Sequence, residues 1–209
     1  MYKRQIGGCV TQVGEQSTNV TRNGWVAAGL PQHVPATTVD RQCGSSQQAM
    51  HFGAAGVVAG HYDLVVACGV ESMSRVPLAS NARGGTGPFP PSFLDVIDGR
   101  LWAQFRVAQV LADRWDISRQ EMDEYSLESH RRAAAAWDSG HFDAEAVPVP
   151  VSYTHLDVYK RQVRKGTTGR YLSAMLIAER SVAERLGLPI RARFAHATVA
   201  ADDLSLIHI

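Results

Sequence analysis

The sequence is short of cysteine and of any surplus of one charge, and each shortage excludes a class of protein. Its 209 residues hold three cysteines, Cys9, Cys43 and Cys68, which form no Cys-x-x-Cys pair and no spacing suited to zinc. An odd count without a secretion signal points to reduced thiols and away from a disulfide framework, and no metal site is expected. Lys and Arg total 21 against 20 for Asp and Glu, a formal net charge of +1. That balance speaks against a nucleic-acid binder, which carries a strong basic excess. It speaks equally against a polybasic membrane-surface protein. No run of about 18 apolar residues is present to span a bilayer. The opening Met1-Tyr2-Lys3-Arg4-Gln5 leads into a short strand-like segment and not into the apolar core of a signal peptide. The expected compartment is the cytoplasm.

What is present is an ordinary globular composition, 45% hydrophobic and 20% charged, in a chain long enough for a real core. From residue 6 to about residue 72, short apolar strands alternate with helical stretches. Ile6-Gly7-Gly8-Cys9-Val10 reads as a strand, and residues near 17 to 29 read as a helix with Ser17 as its cap and Gly29-Leu30-Pro31 as its stop. Val34 to Val39 is β-branched and reads as a second strand. Gly44 to Ala59, rich in Ala and Gly and closed by Gly60, suits a helix packed closely on its neighbours. Leu64 to Val70 is a continuous apolar run, as in a strand buried on both faces. This alternation implies an α/β fold built on a parallel sheet.

Residues 75 to 100 change character, with prolines 77, 88, 90 and 91 and glycines 84, 85 and 87 in an irregular excursion. Gly84-Gly85-Thr86-Gly87 has no Gly-Lys-Ser/Thr after it, so it reads as a plain loop and not a phosphate cradle. Two helices follow, one over roughly 101 to 115 and one from Ser118 to near Gly140. Ser118-Arg119-Gln120-Glu121 has the form of a capping box.

Cys9 and Cys68 sit inside apolar runs and read as small buried hydrophobes. Cys43 lies between a strand and a helix, in Val39-Asp40-Arg41-Gln42-Cys43-Gly44-Ser45-Ser46. If the helix starts there, its unpaired N–H groups and positive dipole end face the sulfur and favour the thiolate. The same groups can hydrogen-bond the oxyanion of a thioester under attack, and Gly44 lets a ligand approach the backbone. Geometry alone leaves two readings open, a nucleophile or a small residue at a helix start.

Three segments carry a family resemblance. Val34-Pro35-Ala36-Thr37-Thr38-Val39-Asp40-Arg41-Gln42-Cys43-Gly44-Ser45-Ser46 resembles the nucleophile motif of thiolases. Cys68-Gly69-Val70-Glu71-Ser72-Met73-Ser74-Arg75-Val76-Pro77 resembles their Gly-Gly-Met-Glu-Ser-Met-Ser strand end. Ile117 to Tyr125 and on through Ser129-His130-Arg131-Arg132-Ala133 resembles their loop-domain helix. The likeness runs in family order from residue 6 to about residue 150.

The resemblance implies a thiolase-like fold, two α/β halves stacked as layered αβαβα with a loop domain over the active site. It implies an acyl-CoA acyltransferase that cleaves 3-ketoacyl-CoA with CoA, or runs the reverse condensation, through an acyl-Cys43 intermediate. The partners so implied are acyl-CoA and CoA, with CoA a substrate and no separate cofactor. The full-length parent is expected to be a homodimer or homotetramer. By the same resemblance the Cys43 backbone N–H faces the oxyanion, and Gln104 falls where the family lines its acyl pocket, although Phe105 stands where the family usually has Gly.

The likeness also breaks. Met1 to Gln5 cannot supply the family's first strand and helix, and no Gly-His-Pro, Asn-Glu-Ala-Phe or later Cys-x-Gly is present. Leu172 to Arg193 resembles the opening helix of the second half and its exit. Tyr-Lys-Arg-Gln occurs at residues 2 to 5 and again at 159 to 162. Residues 1–5, 151–162 and 205–209 resemble translated sequencing-adapter read-through, and they are set outside the fold. The organisation expected is a partial N-terminal α/β domain over 6–74, a loop domain over 75–150, an artefactual junction over 151–162 and a piece of the C-terminal half over 163–204. On this reading the chain as it stands is a catalytically inactive fragment of a thiolase. A cysteine hydrolase is a third reading, and it needs a histidine partner brought near Cys43.

Overall fold

A computed structural model describes residues 3–99, 104–147, 150–152, 155–156 and 170–198. The described strands are Lys3–Gly8 (β1), Ala36–Val39 (β2), Leu64–Ser72 (β3), Pro150–Ser152 (β4), His155–Leu156 (β5) and Arg170–Ala178 (β6). The helices are Val20–Ala27 (α1), Ser45–Val58 (α2), Pro91–Val96 (α3), Gln104–Arg114 (α4), Arg119–Asp138 (α5) and Arg180–Arg185 (α6). Two compact units divide them, with the first break between Arg83 and Gly84. β1, β2, β3, β6, α1, α2 and α6 belong to the first unit, and the remaining elements to the second.

In the first unit the strand order is β2-β1-β3-β6. β1 is parallel to both neighbours, with Ile6 opposite Thr37 on one side and Ala67 on the other. Successive strand residues point to opposite faces, and two adjacent glycines of β1 show what lies on each. A Cβ on Gly7 would meet the Thr21 hydroxyl of α1 at 2.1 Å, whereas one on Gly8 would meet the Ser45–Ser46 backbone of α2 at 2.3 to 2.7 Å. The two crossover helices therefore cover opposite faces of the sheet. On the α2 face Ile6, Ala49, Val65, Ala67 and Ile177 form the core, with Val39, Met50, Val57 and Tyr62 packed around it. Burying each of the larger aliphatic side chains there contributes about 1.5–3 kcal/mol. Gly53 brings α2 close, since a Cβ there would already stand 3.2 Å from Val65 and Ile177.

Four expectations change. The helix near residue 17 begins later, at Val20, and its cap is Asn19, whose Oδ1 accepts from the Arg22 N–H. The Ser17 hydroxyl is committed elsewhere, donating to the Gly14 carbonyl at 2.7 Å to close a 3-10 turn over Gly14–Gln16. Residues 3 to 5, set aside as foreign, lie inside β1. The Gln5 N–H donates to the Pro35 carbonyl at 3.0 Å and its side-chain amide to the Val34 carbonyl at 3.0 Å, with Gln5 1% exposed. A backbone ladder accepts any residue whose side chain finds room and partners, and Gln5 finds both. The second strand is shorter, Ala36–Val39: Pro35 has no N–H to give to a ladder, and the Val34 carbonyl accepts side-chain donors, the Gln5 amide among them.

The fourth change is the largest. Leu172 to Ala178, expected to open a helix, continues β6 instead, antiparallel to β3 with Val65 opposite Ile177 and Cys68 opposite Ala174, and the helix of this stretch is confined to α6. The free edge of β3 offers nine residues of unpaired backbone, and a run as apolar as Met175-Leu176-Ile177 satisfies it as a strand. The sheet is thus parallel with one antiparallel edge.

In the second unit α5 carries the expected capping box. The Ser118 hydroxyl accepts from the Glu121 N–H at 3.2 Å, and the Ser118 N–H donates to Glu121 Oε2 at 2.8 Å. These bonds hold the Glu121 carboxyl below the usual carboxylate range. Exposed i,i+4 pairs, Arg119–Asp123 at 2.9 Å and Arg132–Glu128 at 2.7 Å, line the helix. Gly84, Gly85 and Gly87 take φ of 89°, 63° and 81° in an exposed loop. β4 and β5 pair antiparallel within the expected junction; its other residues and the 205–209 tail lie outside the described residues.

Candidate active site

Cys43 stands on the turn between β2 and α2, and the turn is built from its own side chains. Asp40 Oδ1 accepts the Gln42 N–H at 2.8 Å, which bends the chain immediately after β2. Gln42 is thereby held at a left-handed φ of 46°, a region that costs a non-glycine residue about 1–3 kcal/mol. The Ser45 hydroxyl accepts from the Arg41 N–H at 2.8 Å and donates to the Gln42 carbonyl at 2.6 Å, closing the turn from the helix side. The Arg41 guanidinium also donates to Gln48 Oε1. The result presents Cys43 as an exposed residue directly before the helix cap, Gly44.

The helix itself begins at Ser45, one residue inside the stretch read from the sequence and two beyond the thiol. The Gly44 and Ser45 N–H groups are spent inside the turn, on the Arg41 carbonyl at 3.1 Å and the Gln42 carbonyl at 3.0 Å. The first bond of the helical ladder is Gln48 N–H to Gly44 carbonyl at 2.8 Å. The N–H groups of Ser46 and Gln47 precede that ladder, and it is these that a helix start offers to negative charge.

The other cysteines differ in kind. Cys9 is 1% exposed, and its thiol is pushed up to about 12 by burial first and by the neighbouring Glu71 second. Burial likewise raises the Cys68 thiol. Both remain protonated at neutral pH, so neither competes as a nucleophile. His51 is eight residues along the chain from Cys43, on the order of 12 Å at the helical rise. His33, His61 and His141 are exposed. Among the described residues no cluster of three His, Cys, Asp or Glu is gathered as for a metal, and no helix is long and apolar enough to cross a membrane.

The family model described as the thiolase N-terminal domain matches residues 3–181. The chain belongs to the thiolase family. Its Cys43 turn, β3 strand end and α5 are the three segments whose motifs resemble thiolases, and the matched range also takes in β6. Among curated proteins it is similar to the steroid 3-ketoacyl-CoA thiolase FadA6 of Mycobacterium tuberculosis (strain ATCC 25618 / H37Rv). That match is 45% identical over 151 residues, covering 69% of this chain and 37% of that protein. The 3-ketoacyl-CoA thiolase of Pseudoalteromonas translucida is 34% identical over 230 aligned residues, 96% of this chain and 58% of the relative. The thiolase of the same name from Shewanella loihica is 32% identical over 232, 97% and 59%. The chain therefore spans between 37% and 59% of the length of these relatives.

Two residues complete the inventory of this thiolase-family chain. Gln104, the candidate acyl-pocket residue, is exposed at the start of α4 in the second unit, whereas Cys43 belongs to the first. Glu71, quoted only as part of a motif, turns out to bond three groups at once. It accepts from the Val10 N–H at 2.8 Å, the Cys9 thiol at 3.8 Å and the Gln16 side-chain amide at 2.7 Å. The one signal for it in the sequence is a carboxylate closing an apolar strand, where an ion needs partners.

Proposed function

We propose that the protein to which this chain belongs is an acyl-CoA acyltransferase acting on 3-ketoacyl-CoA, with Cys43 as nucleophile. The observation that carries the reading is an exposed cysteine held on a strained turn at a helix start, in a chain of this family. The names of the relatives, 3-ketoacyl-CoA thiolases, support the substrate class. In the forward direction the Cys43 thiolate adds to the 3-keto carbon and the bond between C2 and C3 breaks. The electron pair stays on C2 and takes up a proton, releasing acetyl-CoA, and the acyl group remains on Cys43 as a thioester. The thiol of CoA then attacks that thioester, its proton is lost to a base, and acyl-CoA leaves as Cys43 regains its thiolate. Oxygen charge in both additions is met by backbone N–H groups at the turn, that of Cys43 among them. Acyl-CoA and CoA are the partners on this reading, Gln104 touches the acyl chain, the parent works as a homodimer or homotetramer, and its place is the cytoplasm.

Incubating the chain with an acyl-CoA and mapping adducts by mass spectrometry tests the nucleophile. Acyl mass on the Cys43 peptide, absent in Cys43→Ala, is expected; adduct elsewhere, or equal adduct in the variant, refutes it. A second reading concerns turnover. The Gly-His-Pro, Asn-Glu-Ala-Phe and Cys-x-Gly motifs, to which the family resemblance assigns the rest of the catalytic machinery, do not occur in the sequence. The chain by itself is then an inactive fragment that acylates slowly and turns over no CoA. Steady thiolysis above the Cys43→Ala control overturns that reading, and steady release of free acid favours a hydrolase.

A further inference from the structure

The loop that follows β1 and the end of β3 are held together by one carboxylate, and the same two strand ends pass under Ser45 and Ser46, the first residues of the helix that follows Cys43. Both Glu71 oxygens are engaged, Oε2 by the Val10 N–H at 2.8 Å and the Cys9 thiol at 3.8 Å, Oε1 by the Gln16 amide at 2.7 Å. Gln16, 4% exposed, completes a closed circuit. Its amide also donates to the Thr11 carbonyl at 2.9 Å, and its Oε1 accepts the Ser72 N–H at 2.7 Å. Residues 9 to 16 are thus bound to the end of β3 through side chains more than 50 positions apart in sequence.

Those ends reach the Cys43 turn by direct contact. Gly8 lies under the Ser45–Ser46 backbone, and Gly69, two residues before Glu71, lies under Ser46, where an added Cβ would stand 2.6 Å from the serine Cβ. The Cys9 N–H donates to the Val39 carbonyl at 3.0 Å, one residue before the Asp40 that bends the chain. The Glu71 bonds to Cys9 and Val10 therefore hold the stretch that follows Gly8 and meets the exit of β2, and the bond to Gln16 ties the next loop to the end of β3.

We propose that Glu71, with Gln16 as its bridge, is a positioning residue that sets the Cys43 turn by clamping the β1 and β3 ends beneath it. Cys43 matters here as the nucleophile of the reading above, but the clamp is a mechanical device and is measured without acyl transfer. Glu71→Gln replaces an acceptor oxygen by an amide that cannot accept from both the Val10 N–H and the Gln16 amide. The exchange Glu71→Gln/Gln16→Glu restores an acceptor for Val10, a bond between the two side chains and an acceptor for Ser72, and loses only the bond from residue 16 to the Thr11 carbonyl. Gln16→Met removes the bridge alone.

The readout is the rate of iodoacetamide labelling at each cysteine of the full 209-residue chain, resolved by peptide mass spectrometry. Glu71→Gln is expected to slow Cys43 labelling about tenfold, equivalent to about 1.4 kcal/mol, while Cys68 stays protected. Gln16→Met is expected to slow it by a smaller factor, and the exchange variant to return it to within about twofold of the parent, or about 0.4 kcal/mol. An unchanged Cys43 rate in Glu71→Gln overturns the proposal, as does an exchange variant no better than the single one. Cys68 labelling that rises in step with the change at Cys43 means that Glu71 holds the sheet as a whole, and this too overturns it. If Glu71→Gln does not fold, Gln16→Met decides by the same criteria. Acyl adduct lost from a Cys43 that still labels normally sinks the acyltransferase reading and leaves the clamp standing.

Discussion

Gly8→Ala is the sharpest perturbation of the Cys43 turn that avoids touching it. The added methyl carbon would sit 2.3 Å from the Ser46 nitrogen, 2.4 Å from the Ser45 carbonyl carbon and 2.7 Å from its oxygen. All three are backbone atoms, so no rotamer change relieves the contact; α2 must lift by about 1 Å to restore ordinary van der Waals separation. Overpacking of this kind costs about 1–3 kcal/mol, and about 2–4 °C of melting temperature per kcal/mol in a chain of this length. Gly7→Ala is the matched control. Its methyl would collide with the Thr21 side chain at 2.1 Å, on the α1 face, and should cost a similar amount without moving α2. Thermal unfolding followed by circular dichroism is expected to show both variants destabilised by several degrees. Cys43 alkylation at a temperature where both are folded should change in Gly8→Ala alone. Equal Cys43 rates in the two variants, or a Gly8→Ala chain that melts with the parent, would refute the claim that this glycine seats the turn.

Two further outcomes can be measured on the same chain. Because the Cys9 thiol is raised in the folded state, the native chain holds its proton where the unfolded chain releases it. Stability linked to Cys9 is complete below the unfolded thiol value near 9, falls as pH rises and is lost by about 12. Urea unfolding from pH 8 to 11 should therefore show a shallower decline in Cys9→Ala than in the parent, and parallel declines would remove Cys9 as the cause. At the start of α5, Ser118→Ala removes the acceptor for the Glu121 N–H and should cost about 1 kcal/mol of helix stability, seen as faster amide exchange in the first turn of α5; exchange unchanged at Glu121 and Met122 would refute it.

The parts of the fold that were legible share one property: their signal is local. α2 was readable because Gly60 ends it and its small residues mark a close approach, and α5 because Ser118 and Glu121 form a box within four positions. β3 was readable as an apolar strand, although it extends to Ser72 and is fully buried only at Val65 and Ala67, on one face and not on both. The first cap was misread because Ser17 and Asn19 are both good capping residues, and only the geometry shows the Ser17 hydroxyl spent on a preceding turn. β6 was misread because a short apolar run suits either period, and the choice was made by an open edge of β3 more than 90 residues earlier. The Cys43 turn stood out by composition, yet its hold by Asp40 and Ser45 required coordinates, as did the start of the helix two residues beyond the thiol. Glu71 and Gln16 are separated by 55 positions, so no local pattern could join them.

Comparing magnitudes shows why the turn needs support from outside itself. Holding Gln42 at a left-handed φ costs about 1–3 kcal/mol. Five local bonds oppose that cost: Gln42 N–H to Asp40, Arg41 N–H to Ser45, Ser45 hydroxyl to Gln42 carbonyl, and the Gly44 and Ser45 N–H groups to the Arg41 and Gln42 carbonyls, each with a net worth of about 0.5–1.5 kcal/mol. Asp40, Arg41 and Gln42 are all exposed, where water competes for the same groups. That competition narrows the margin that local bonding leaves between the strained and relaxed forms. What decides between them is contact from below: Gly8 and Gly69 under the first turn of α2, and the Cys9 bond to Val39 at the exit of β2. A strained cysteine turn on an exposed edge is stable only while the sheet beneath it is rigid. A polar circuit in the most buried part of the adjoining loop, where Cys9, Thr11 and Gln16 are each less than 5% exposed, supplies that rigidity where apolar packing alone would allow sliding.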